Sequence, residues 1–169
     1  MNSTRTALAD QQVCFQAQVE IHKRIIYKVV SGFAWQQEDQ QDLAQEITVQ
    51  LWRSFPKYDP KRPFSTWMYQ VSLNTAISWS RKSKLLGQHL TTSEDITQIP
   101  DNQPDSSDSQ TLYHLIESLD ELSRALLLLY IDERSHTEIG EILGITATNV
   151  AVKLNRLKAR LRMEVEQQN

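Results

Sequence analysis

The sequence predicts an all-α protein: two small helical domains joined by a flexible linker. Three observations predict this class. Apolar residues recur at helical spacing, and no strand-like alternation of useful length interrupts them. The five prolines stand at 56, 60, 63, 100 and 104, so the long periodic stretches on either side stay unbroken. Between two such blocks lies GQHLTTSEDITQIPDNQPDSSDSQT, polar, acidic and poor in large apolar side chains. The expected units are therefore residues 1–86, a linker at 87–111, and residues 112–169.

In the first unit, VCFQAQVEIHKRIIYKVVSGF reads as one helix, with Phe15, Val19, Ile25, Ile26, Val29 and Val30 broadly on one side. DLAQEITVQLWRSF is the next. Its Leu43, Ile47 and Leu51 fall at i, i+4 and i+8 and should face a core. Asp42, Gln45, Glu46, Val49 and Arg53 share another stripe and should face outward. PKYDPKRP, with three prolines, cannot continue a helix and reads as a constrained loop. A long helix follows from about Ser65 to Lys84.

The second unit starts with SLDELSRALLLLYI, where Ser118 and Glu121 have capping-box spacing. The preceding TLYHLIE is a further candidate for helix. Ser135 and Glu138 repeat the capping-box spacing at the start of SHTEIGEILG. There Ile139, Ile142 and Leu143 make a short apolar face, and Gly144 is placed to end the helix as a left-handed C-cap. Thr146 should cap the next helix, whose buried stripe is Val150, Leu154, Leu157 and Leu161.

Composition narrows the class. The chain has 169 residues, enough for one domain or two small ones. The longest apolar run, ALLLLYI at 125–131, falls far short of the roughly 20 residues that span a membrane. The N-terminus lacks a signal-peptide pattern, and the single Cys14 cannot form an internal disulfide, so a cytoplasmic location is expected. The four histidines are scattered, with no H-E-x-x-H, no cysteine pair and no phosphate-cradling glycine loop; neither catalysis nor a metal or other cofactor is expected.

The net charge of −3 hides a pattern. Residues 53–84 carry 7 basic and 1 acidic side chains, residues 85–122 carry 0 and 8, and Asn149–Arg162 holds five basic residues and no acid. Two basic patches flanking an acidic stretch fit two contacts with a polyanion; solvated helix faces are the plain alternative. A short helix, a Gly-Ile-Thr turn and a longer helix make a helix-turn-helix. Asn149, Lys153, Arg156 and Arg160 share the spacing of the leucines but are rotated off them. Such a face suits a DNA major groove.

Two blocks carry a resemblance. DLAQEITVQLWRSFPKYDPKRPFSTWMYQVSLNTAISWSRKSK resembles region 2 of the sigma-70 family, and LDELSRALLLLYIDERSHTEIGEILGITATNVAVKLNRLKARLR resembles region 4. With little between them, the chain is similar to sigma factors of the extracytoplasmic-function type. The resemblance implies binding to core RNA polymerase, through the clamp helices of its largest subunit and the flap of the second-largest, and to promoter DNA. It implies polymerase contacts at Asp42, Gln45, Glu46, Val49 and Arg53. It further implies recognition and opening of the −10 element by Tyr58, Lys61, Arg62, Phe64, Trp67, Gln70, Asn74, Arg81 and Lys82, with Ser78 on the same helix face and Lys84 nearby; the competing reading makes Trp67, Met68 and Val71 core residues. The −35 element falls to Thr146, Thr148, Asn149, Val152, Lys153, Arg156 and Arg160. Ala151, Val152 and Asn155 depart from the common pattern, so the preferred DNA sequence is not carried over. An anti-sigma factor that occludes both modules is common among similar proteins. A stand-alone helix-turn-helix regulator is the competing class, separable by whether core polymerase is needed.

Overall fold

The computed structural model describes residues 2–87 and 114–167, with side chains from residue 9 onward. Among these residues every regular element is helical. Two helices stand where the sequence suggested one. α1 (Asn2–His22) ends where the backbone tightens at Lys23, whose carbonyl accepts the Ile26 N–H at 3.1 Å, and α2 (Arg24–Phe33) continues. Ile25, Ile26, Val29, Val30 and Phe33 are its buried face, and the chain turns extended at Ala34.

α3 (Gln37–Ser54) starts five residues before the expected Asp42. The polar run before Asp42 looks like a loop, yet Gln and Glu are good helix formers. Glu38 and Asp39 also place negative charge on the positive end of the helix dipole. Leu43, Ile47 and Leu51 are fully buried as the spacing required; each such burial contributes about 1.5–3 kcal/mol. Pro56 closes a single 3₁₀ turn, Phe55–Lys57, before the loop to Pro63. α4 (Phe64–Leu85) then crosses α2 and α3 with Met68, Tyr69, Leu73 and Ala76 inward.

In the second unit a helical turn at 114–118 precedes α5 (Glu121–Ile131), α6 (His136–Leu143) and α7 (Ala147–Gln167). The expected Ser118 cap is not used. Asp120 is the N-cap, its carboxylate accepting the Ser123 N–H at 3.4 Å, while the Ser118 hydroxyl donates to the Leu115 carbonyl. The helical turn at 114–118 occupies Ser118, which is why the cap moves two residues on. The expected linker, 87–111, lies outside the described residues except for Gly87.

The two units are packed against each other. α5 lies on α2 and α4, α6 lies on α4, and one continuous apolar core runs from Phe15 through Leu73 to Leu157. Periodicity does not reveal this closure, because the two halves of the core belong to blocks that each pattern as an independent unit.

Candidate nucleic-acid interface

The helix-turn-helix is built by local chemistry. Ser135 and Glu138 form a full capping box: the Ser135 hydroxyl accepts the Glu138 N–H at 3.2 Å, and the Glu138 carboxylate accepts the Ser135 N–H at 2.9 Å. That backbone bond holds the Glu138 carboxyl below its ordinary value. Gly144 ends α6 at φ 70° and ψ 32°, the left-handed conformation glycine adopts without strain. The Ile145 N–H then returns to the Gly140 carbonyl at 3.0 Å. Gly140 is the tighter position, since a Cβ there would stand 2.6 Å from the Ile145 carbonyl oxygen. Thr146 caps α7, its hydroxyl accepting the Asn149 N–H at 3.1 Å.

This turn sets the orientation of α7. Val150, Leu154 and Leu157 are buried and Leu161 is half-buried, while Lys158 lies 4.0 Å from the Tyr130 ring centre and ties α7 to α5. With that stripe inward, Thr146, Thr148, Asn149, Val152, Lys153, Arg156 and Arg160 are all exposed. Arg160 is not an open cation: its guanidinium donates to Glu164 at 2.7 Å, one turn on. The face thus offers an amide, two hydroxyls and an apolar group near the helix start, with cations further along. Side chains near the start of such a helix reach base edges, and later ones reach phosphates.

A second surface surrounds the loop before α4. The Tyr58 hydroxyl donates to the Arg62 carbonyl at 2.7 Å, and Asp59 accepts the Lys61 N–H at 3.0 Å, so the loop is held by its own bonds. Tyr58 and Trp67 stand with ring centres 5.1 Å apart, both half-buried, beside exposed Lys61 and Arg62. Phe64 is the one buried member of the nine residues assigned here, 7% exposed and packed between Tyr58, Trp67 and the stacked ring of His22. It supports the loop from beneath. Phe55 and Phe15 extend the aromatic layer. Sequence reading missed His22, Phe15 and Phe55 in this layer, because they come from α1 and the end of α3. Gln70 is half-buried; Asn74, Arg81 and Lys82 are exposed along α4.

The third surface is the outer stripe of α3. Asp42, Gln45, Glu46, Val49 and Arg53 are all exposed opposite the Leu43–Ile47–Leu51 face, and Glu46 accepts a bond from Gln50 at 2.9 Å. Among the described residues no group of His, Cys, Asp and Glu could hold a metal ion. No described helix is long and apolar enough to cross a membrane.

The family model for Sigma-70 region 2 matches residues 18–85, and that for Sigma-70, region 4, matches residues 109–161. The ECF RNA polymerase sigma factor SigW of Bacillus subtilis (strain 168) is 30% identical over 168 residues, covering 91% of this chain and 90% of SigW. Among solved structures, CnrH in complex with the cytosolic domain of CnrY superposes with a TM-score of 0.68 at 20% identity, covering 94% of this chain and 91% of that one. The sigma factor RpoE in complex with the anti-sigma factor NepR from Bartonella quintana gives 0.72 at 16% identity, covering 90% and 96%. At such identities the two structures speak for the fold. The two family models and SigW speak for more: the chain belongs to the sigma-70 family, as a non-catalytic sigma factor of the extracytoplasmic-function type that acts in promoter recognition and transcription initiation by RNA polymerase.

Proposed function

We propose a division of labour among the three surfaces. α7 reads the −35 element through Thr146, Thr148, Asn149, Val152, Lys153 and Arg156, with Arg160 on a phosphate. The loop before α4 and the outer face of α4 hold and open the −10 element. Tyr58 and Trp67 offer stacking surfaces, Lys61, Arg62, Arg81 and Lys82 neutralise phosphates, and Gln70 and Asn74 are the polar readers. Flipping a base out of the duplex costs a few kcal/mol, and a stacking pocket offsets that cost. Phe64 serves as the floor of this pocket. The α3 stripe docks on core polymerase. In this reading residues 1–86 and 112–169 are the two functional domains, and the protein works in the cytoplasm.

One observation carries the reading: the exposed face of α7 from Asn149 to Arg162 is rich in cations and free of acids, on a helix whose start is fixed by turn and cap. CnrH and RpoE were each solved with a partner protein, CnrY or NepR. A comparable antagonist is part of the proposal for this chain. Run-off transcription with core polymerase, with and without this protein, is the test. Transcripts from a defined start only when the protein is present are expected. DNA binding as a dimer with no effect on core polymerase would instead identify a stand-alone regulator.

A further inference from the structure

Val152 stands at the centre of the outward face of α7. At 3.6 residues per turn it projects opposite the buried stripe of Val150, Leu154 and Leu157, with Thr148 one turn before it and Arg156 one turn after. It is 43% exposed, and among the described residues from Gly144 to Arg162 it is the one exposed large hydrophobic side chain. Asn149 and Lys153, both exposed, flank it. Met163, the next exposed apolar residue of α7, lies eleven residues on, about 16 Å along the axis, so the two make no patch.

Folding gives no reason for a valine here. In a helix valine loses side-chain freedom and is a poorer helix former than alanine. At an exposed position no packing offsets that cost. Other contacts already hold α7: Thr146 accepts the Asn149 N–H at 3.1 Å, the Ile145 N–H meets the Gly140 carbonyl at 3.0 Å, and Lys158 lies over the Tyr130 ring. Those same anchors fix where Val152 points. Its own stiffness fixes its methyl groups, since a helical valine keeps one rotamer about nine times in ten. The result is a rigid apolar group on a face that is otherwise polar and cationic.

The surroundings select the occupant. A protein-docking patch needs contiguous apolar area, and Val152 stands alone on its stretch of α7. Asn149–Arg162 carries five basic residues and no acid, so this face attracts a polyanion. The major groove displays donors, acceptors and one kind of apolar group, the C5-methyl of thymine. Valine has neither donor nor acceptor. Against any other base edge it would strip water from a polar group and return no hydrogen bond. We infer that Val152 reads a thymine of the −35 element by packing on its C5-methyl. Residues four apart on α7 lie about 6 Å apart along its axis, close to two base-pair steps. The thymine therefore falls between the base pairs reached from Thr148 and from Arg156. This rests on α7 as the −35 reader proposed above, and adds the chemistry of one base to it.

The test uses the holoenzyme, core polymerase with the full chain. Duplexes enriched from a randomised pool supply the probe, and each thymine of the −35 element is replaced in turn by deoxyuridine, which removes only the methyl. At one thymine the wild type should bind about fourfold more weakly after replacement, the loss of one buried methyl-sized group. Val152→Ala and Val152→Ser should bind thymine and deoxyuridine equally at that position, while penalties at other thymines persist. Val152→Ala should melt no lower than the wild type, because alanine is the better helix former. A lower melting temperature would overturn the inference by giving Val152 a place in the packing. So would methyl dependence that persists in both variants, or a −35 element with no thymine whose methyl matters; in either case α7 remains the reader. Loss of holoenzyme assembly in Val152→Ser would overturn it as well, assigning the residue to a protein contact. A pool that enriches no −35 element at all would refute the reading of α7 itself.

Discussion

Arg156 separates two ways of holding DNA. It is exposed two turns into α7, where a side chain still reaches a base edge. Arg156→Ala should therefore cost about 1–3 kcal/mol of binding and relax preference at one base pair. A uniform loss across sequences, with a smaller salt slope, would make it a phosphate contact; binding titrations on single-base variants of the site distinguish the two. Asn74 is exposed on α4 alongside the aromatic loop. Asn74→Ala should slow strand opening, followed by permanganate reactivity of unpaired thymines, more than it weakens the closed complex. Equal damage to both would remove Asn74 from the −10 surface. These exposed residues were legible from spacing alone, because a helix with its leucines inward has only one way to face its polar stripe. Phe64 was not: the pattern puts it next to Tyr58 and Trp67, and only the arrival of His22 from α1 makes it a buried floor.

At the scale of elements, the turn between α6 and α7 carries the sharpest expectations. Gly144→Ala forces an L-residue into the left-handed region and should cost about 1–2 kcal/mol. Gly140→Ala should cost more, about 1–3 kcal/mol of overpacking together with loss of DNA binding, because its Cβ would meet a backbone oxygen that cannot rotate away. Thermal melts and DNA titrations of both variants check the order. The cap is also pH-sensitive. The Glu138 carboxyl is lower in the folded state than its ordinary 4.5, chiefly because it accepts the Ser135 N–H. Its contribution is therefore complete above about pH 4.5 and is lost as pH falls through the lowered folded value. Glu138→Gln cannot titrate, so the gap in melting temperature between wild type and variant should shrink on acidification from pH 6 to pH 3. The capping box and the left-handed glycine were readable in sequence because both depend on residues within one turn of each other. The Ser118 cap and the single first helix failed because the end of a helix depends on what the neighbouring turn does with the same backbone groups.

For the whole molecule, the shared core between the units predicts coupled unfolding. The wild type should melt in one transition at low salt, and Gly32→Gln should split it into two, one for each unit, by calorimetry. A single transition in that variant would show that Gly32 does not govern the docking. By itself the sequence determined the helical class, the helix-turn-helix and the outward stripes of α3, α4 and α7, since these follow from periodicity and from contacts within a few residues; the family was legible through the resemblance of two blocks. Only the tertiary structure decided that the units close on each other, that Lys84 faces Glu121, and that Gly32 makes room for Leu128. Those contacts join residues tens of positions apart, which periodicity within a single helix cannot pair.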